Sequence, residues 1–185
     1  RSGSDQRARL ALGGLLTRLN RLDEAATIYR KMIELDNRCK GAWSGLGHVQ
    51  QLNGQPDQAV GSFSKMAELD ASDDLAWHSL CSVYFAQKKF QKAEEAVRKA
   101  LALSPKNPDY LWSLGCTLKH QGKFDEAEAS YRRSIEADAR CGPAWESLVD
   151  CLRAAGKPKE ARKVLQELER LDPKMAKEVI RSIGE

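Results

Sequence analysis

The sequence predicts an all-α fold, a row of five antiparallel helix pairs closed by a short C-terminal capping helix, and three observations predict it. Shifted by 34 residues, the chain lies on itself without an insertion. Two columns of that register keep one residue type throughout: Ala25, Ala59, Ala93, Ala127 and Ala161 in one, Leu12, Leu46, Leu80, Leu114 and Leu148 in the other. Within a repeat, apolar residues recur at i, i+3, i+4 and i+7, the spacing of one helical face, as Trp77, Leu80, Cys81 and Tyr84 do.

The register divides the chain into repeats at 6–39, 40–73, 74–107, 108–141 and 142–175, with a cap at 176–185. Residues 1–5 are expected to be a tag remnant outside the fold. With positions numbered 1 to 34 in each repeat, helix A presents positions 4, 7, 8 and 11. Position 8 is mostly small: Gly13, Gly47, Cys81, Gly115 and Val149. Helix B presents positions 20, 24 and 27, and position 24 is bulky: Tyr29, Phe63, Val97, Tyr131 and Leu165. Between them, position 15 carries Asn20, Gly54, Lys88, Gly122 or Gly156, and Gly or Asn tolerates the left-handed end of a helix. Pro56 and Pro158 suit the first turn of helix B, where a missing backbone donor costs little, and Pro108 and Pro143 open helix A in the same way. Asp57, Asp125 and Glu126 favour the positive end of the helix B dipole. In the tail, Met175, Val179, Ile180 and Ile183 are expected to lay an apolar stripe over the last repeat.

Charge and cysteine usage narrow the function classes. The 30 basic and 26 acidic residues are interleaved without a polybasic block, which does not favour nucleic acid. Cys39, Cys81, Cys116, Cys141 and Cys151 form no C-x-x-C pair, and an odd number leaves one thiol over in any internal disulfide scheme. A reducing, cytoplasmic setting is expected. No apolar run approaches the roughly 20 residues that span a bilayer, so the chain reads as soluble, with membrane contact peripheral if present.

The pattern W-x-x-L-G followed by Ala, an aromatic and Pro is similar to the tetratricopeptide-repeat (TPR) family over residues 6–175, its best copy running from Trp43 to Gly47 with Gly54, Ala59 and Phe63. Arg9 stands where Trp is expected in the first repeat, which marks its helix A as an end or as a surface covered by something else. The fourth repeat has Leu111 there with Trp112 displaced by one, and the second has Gln50 in place of Tyr. The resemblance implies a right-handed superhelical solenoid whose concave wall is lined by helix A and whose ligands are peptides or helices of partner proteins. Chaperone-binding members grip a terminal carboxylate with Lys, Asn and Arg at set positions. Here Leu10, Gly14, Gly45, Leu75 and Ser79 occupy those places, so a chaperone-tail clamp is not expected.

If positions 4, 7, 8 and 11 face neighbouring helices, positions 2, 5, 9, 12 and 13 turn to the groove. The expected partner-binding residues are Ser44, His48, His78, Ser82, Phe85, Trp112, Cys116, Lys119, His120, Glu146, Asp150 and Arg153, with an apolar anchor near Trp112 and Phe85. The three histidines come from three repeats without an i+3 or i+4 pair, so no metal is expected. Cys116 and His120 share a helix face, but a nucleophile needs a positioned base and a third orienting group, so no catalytic residue, enzyme activity or cofactor is expected. The basic cluster from Lys157 to Lys177 is interspersed with acids and reads as a solvated face. The expected function is a protein–protein interaction scaffold. The alternatives are a self-assembling scaffold on a bacterial organelle or membrane surface, of the magnetosome-associated type, and a regulatory domain of a larger enzyme.

Overall fold

The computed structural model describes residues 3–184, and among them eleven helices and no strand are found. In order they are α1 (Gly3–Arg18), α2 (Leu22–Leu35), α3 (Lys40–Leu52), α4 (Pro56–Leu69), α5 (Asp74–Ala86), α6 (Phe90–Leu103), α7 (Pro108–His120), α8 (Phe124–Ala137), α9 (Gly142–Ala154), α10 (Pro158–Leu171) and α11 (Pro173–Ser182). Odd-numbered helices are helix A of the repeats, even-numbered ones helix B, and α11 is the cap. Of the start set aside as a tag remnant, Arg1 and Ser2 lie outside the described residues, whereas Gly3–Asp5 are part of α1.

Two compact halves divide between Lys88 and Lys89. In the first, α1 packs on α2 and α3, α2 on α3, α3 on α4, and α4 on α5. In the second, α6 packs on α7, α7 on α8 and α9, α8 on α9, and α9, α10 and α11 on one another.

Each turn from helix A to helix B has one residue in the left-handed region, at Asn20 (φ 57°), Gly54 (68°), Lys88 (58°), Gly122 (76°) and Gly156 (74°). That twist lets the next amide reach back to the last helical turn, as Arg21 N does to Leu16 O (2.9 Å) and Lys157 N to Leu152 O (2.8 Å). Pro56, Pro108 and Pro158 begin their helices, and Pro143 follows Gly142 at the start of α9. Side-chain caps hold α7 as well and two further starts: Asn107 accepts from Asp109 N and Tyr110 N, Asp73 from Ala76 N, and Asp172 from Lys174 N and Met175 N. Between repeats, the indole N–H groups of Trp43, Trp77 and Trp145 donate to the carbonyls of Asn37, Ala71 and Ala139, each six residues back (2.8–3.1 Å). The expected burial of position 4 is met fully by Trp145 and Leu111, while Trp43 and Trp77, tied to their loops in the same way as Trp145, are half-buried.

The core is built from large side chains entering gaps left by small ones. The alanine column is 0–3% exposed. A Cβ added at Gly47 would lie 2.7 Å from the Phe63 ring, and one at Gly115 would lie 2.5 Å from the Tyr131 ring. At the far end Ala176 and Val179 are buried, with Met175, Ile180 and Ile183 half-buried, so the apolar stripe of the cap runs as the sequence suggests but on a helix that begins at Pro173.

Polar contacts bind successive repeats on the same plan. Gln87 Nε2 donates to Asp57 Oδ1 (2.9 Å), and Gln121 Nε2 and Lys123 Nζ to Glu94 Oε2 (2.8 and 3.0 Å). Lys157 Nζ reaches Asp125 Oδ1 (2.7 Å) and Glu128 Oε2 (3.3 Å). Burial opposes the Glu94 charge, but the Lys123, Gln121 and Arg98 donors outweigh it and hold the carboxyl at about 2.

Gly115→Ala is expected to lose about 1–3 kcal/mol, because the new methyl overlaps a buried ring that has nowhere to go. Gly14→Ala, with nothing within 4 Å of the added carbon, is expected to gain about 0.5–1 kcal/mol from helix propensity. Urea unfolding of the two variants checks the pair; equal effects would mean that the close approach at Gly115 does not govern packing.

Candidate functional site

The A helices place columns of side chains at repeat spacing, and the burial of each column follows from the helix beside it. Position 5 (Leu10, Ser44, His78, Trp112, Glu146) is half-buried in all five repeats, and in the first repeat the following A helix, α3, packs against α1 beside it. A Cβ at Gly41, for example, would lie 3.1 Å from Leu10 Cδ1. Positions 2 and 13 are open to solvent throughout.

In the first half, Ser44, His48 and Gln51 of α3 and His78 and Ser82 of α5 border a hollow of about 450 Å3, with buried Phe63 of α4 also in its lining. Gln51 Nε2 donates to Ser82 Oγ (3.1 Å) and ties the two helices across its mouth. Four expected residues, Ser44, His48, His78 and Ser82, are thus brought together. Phe85 is half-buried on α5 and is not in this lining. Sequence reasoning did not single out Phe63, whose place in the helix B core column gave no hint of access.

In the second half, α7 and α9 are cross-tied. Trp112 Nε1 donates to Ser147 Oγ (2.9 Å), so the indole is half-buried and anchored by its polar edge. Lys119 Nζ pairs with Asp150 Oδ2 at 3.8 Å, a loose and partly exposed pair that contributes little stability. Glu146 is half-buried on the same wall. Arg153 is drawn out of the expected set: its guanidinium donates to Ile183 O (3.3 Å) and closes the end of α11. His120 also departs. Its ring stacks on Phe90 at the start of α6, with centroids 5.0 Å apart and planes 11° from parallel.

Burial pushes the Cys116 thiol upward, away from the thiolate that attack requires, against the weaker pull of Tyr131, Ser147 and Lys119. His120 stacks on Phe90, and the groups that act on the thiol are Tyr131, Ser147 and Lys119. Tyr131, 0% exposed, sets its hydroxyl beside Cys116 and Ser147 without a well-formed hydrogen bond, and burial drives its pKa strongly upward. Among the described residues, no group of three or more His, Cys, Asp or Glu side chains could hold a metal ion, and no helix is long and apolar enough to cross a membrane.

Comparison with known proteins places these features. The family model for the middle TPR-like domain of cilia and flagella-associated protein 70 matches residues 70–172, and a tetratricopeptide-repeat model matches residues 1–38. A crystal structure of MamA is 25% identical, with a TM-score of 0.80 over 89% of this chain and 96% of that one. MamA 41-end from Desulfovibrio magneticus RS-1 is 14% identical with a TM-score of 0.82 over the whole of both chains. YrrB, described as a TPR protein with an unusual peptide-binding site, is 20% identical with a TM-score of 0.72 over 94% of this chain and 90% of that one. The last two show likeness of fold alone. No curated protein matches the chain.

Because folding holds Cys116 and Tyr131 protonated, with pKa values above their ordinary 9.0 and 10.0, their contribution to stability is full below about pH 9 and is lost as the pH rises further. Tyr131→Phe is expected to be at least as stable as the parent at pH 7, since it deletes a buried, poorly satisfied hydroxyl that costs about 1–3 kcal/mol. It is also expected to flatten the alkaline fall. Urea midpoints from pH 7 to 11 read both effects; a clear loss at pH 7 would show that the hydroxyl is well bonded.

Proposed function

We propose a function from one premise: the chain belongs to the tetratricopeptide-repeat family. It is a non-catalytic protein-interaction scaffold that takes a peptide or helix of a partner along the exposed wall of its A helices. The observation that carries this reading is the hollow bordered by Ser44, His48, His78 and Ser82. At about 450 Å3 it is of a size to receive one or two side chains. Its rim supplies imidazole and hydroxyl groups that both donate and accept, while the Phe63 ring offers apolar contact within. A segment with a small apolar anchor flanked by polar backbone suits it better than a single-sign charged tail. In the second half, Trp112, Cys116, Lys119, Glu146 and Asp150 form the corresponding wall. The fold shared with YrrB agrees with this assignment.

A second reading, self-assembly into a scaffold on an organelle or membrane surface, rests on the exposed leucines of α1, with Leu12 45% and Leu19 58% accessible. Static light scattering across concentration at low salt separates it from the first: a strict monomer sinks it.

Peptides selected from a random display library on the whole chain are expected to bind His48→Ala/His78→Ala roughly 10-fold more weakly, the effect of losing about 1.4 kcal/mol at a central contact. Fluorescence anisotropy measures this, and affinities indifferent to both substitutions would remove the hollow from the binding surface.

A further inference from the structure

Within the two halves the seam between successive A helices occurs three times, from α1 to α3, from α3 to α5 and from α7 to α9. Position 5 governs how each seam is filled. Leu10 of α1 reaches across to α3, where a Cβ added at Gly41 would lie 3.1 Å from its Cδ1. Trp112 of α7 reaches across to α9, and its indole Nε1 donates to Ser147 Oγ at 2.9 Å. Ser44 of α3 holds the same repeat position with a side chain too short to cross, and its seam is the one that opens into the hollow of about 450 Å3.

Apart from that difference, the α3–α5 and α7–α9 seams share a plan. Ser79, the repeat equivalent of Ser147, lines the hollow, and so does the ring of Phe63, the equivalent of Tyr131. Both rings belong to the core, at 3% and 0% exposure, and Tyr131 sets its hydroxyl beside Ser147. The α3–α5 seam therefore keeps the aromatic floor and the acceptor while it lacks the indole. Among the described residues the Ser79 hydroxyl has no hydrogen-bond partner, whereas Ser147 is taken by Trp112.

The rest of the lining, His48, Gln51, Leu52, His78 and Ser82, holds no carboxylate, ammonium or guanidinium group. An acidic or basic side chain entering here gives up its water without a fixed counter-charge. An indole brings a large apolar ring and a single N–H that needs one acceptor. Resting on the reading of this hollow as a partner-binding site, we propose that its anchor is a tryptophan of the partner peptide rather than a small aliphatic side chain. The ring lies on Phe63 between α3 and α5, and the indole N–H donates to Ser79 Oγ as Trp112 donates to Ser147. The first half thus receives from outside the side chain that the second half carries for itself.

Ser44→Trp supplies the missing ring from within and is the key variant; its urea midpoint is expected to be no lower than that of the parent. The probe is a random peptide library displayed on phage, selected on the whole chain and sorted by loss of binding to Ser44→Trp. Peptides sorted in this way are expected to share one Trp, whose replacement by Leu weakens binding about 10-fold. Ser79→Ala is expected to weaken the Trp peptides about 3- to 10-fold and to leave their Phe versions unmoved, the coupling of a single hydrogen bond. If Ser44→Trp is poorly folded, loss of binding to His48→Ala/His78→Ala sorts the peptides instead, and the same sequences decide. Sorted peptides whose common residue is not Trp overturn the inference and leave the hollow as a binding site, as do Trp peptides indifferent to Ser79→Ala. Peptides indifferent to every one of these substitutions remove the hollow from the binding surface and the inference with it.

Discussion

Every joint in this molecule depends on two helices coming closer than ordinary side chains allow. The alanine column, almost wholly buried, and Gly47 and Gly115 in position 8 supply the missing volume, and Phe63 and Tyr131 fill it. Where position 8 carries Val149 instead of Gly, position 24 carries Leu165 instead of an aromatic, so bulk moves from one helix to the other at nearly constant total. Since neither helix of a pair hides its apolar face alone, stability resides in contacts between neighbours and passes along the chain one step at a time.

That constraint is why so much of the fold was legible in the sequence. Close packing at a fixed repeat leaves invariant small residues at a fixed spacing, and the left-handed turns leave Gly or Asn between them. Lys88 shows the limit of the second signal: it takes φ 58° without the residue type that announces it, and only the register revealed the turn. The indole-to-carbonyl ties were not legible, because nothing in a tryptophan's spacing says that its N–H will face a loop six residues earlier.

The candidate site was legible as columns and illegible as contacts. Periodicity placed Ser44, His48, His78 and Ser82 on one wall, and the hollow gathers them. It could not foresee that His120 would lie on Phe90 or that Arg153 would be spent on Ile183. Both losses have one cause: position 13 and the end of the array border elements other than the next helix A, and a helical wheel records direction without recording neighbours. Leu12 teaches the same point in reverse, since the later leucines of its column are buried on helices against which the helix B before them packs.

The ties of Trp43, Trp77 and Trp145 to carbonyls six residues back have a bearing on how such a chain changes over generations. Each fastens a helix A to the loop that ends the repeat before it, through a backbone carbonyl that any residue supplies, so copying or deleting a whole repeat leaves every fastening with both its halves. Length can thus be altered by genetic duplication without any seam having to be invented, and the reach of the array becomes a quantity that selection can adjust in whole steps.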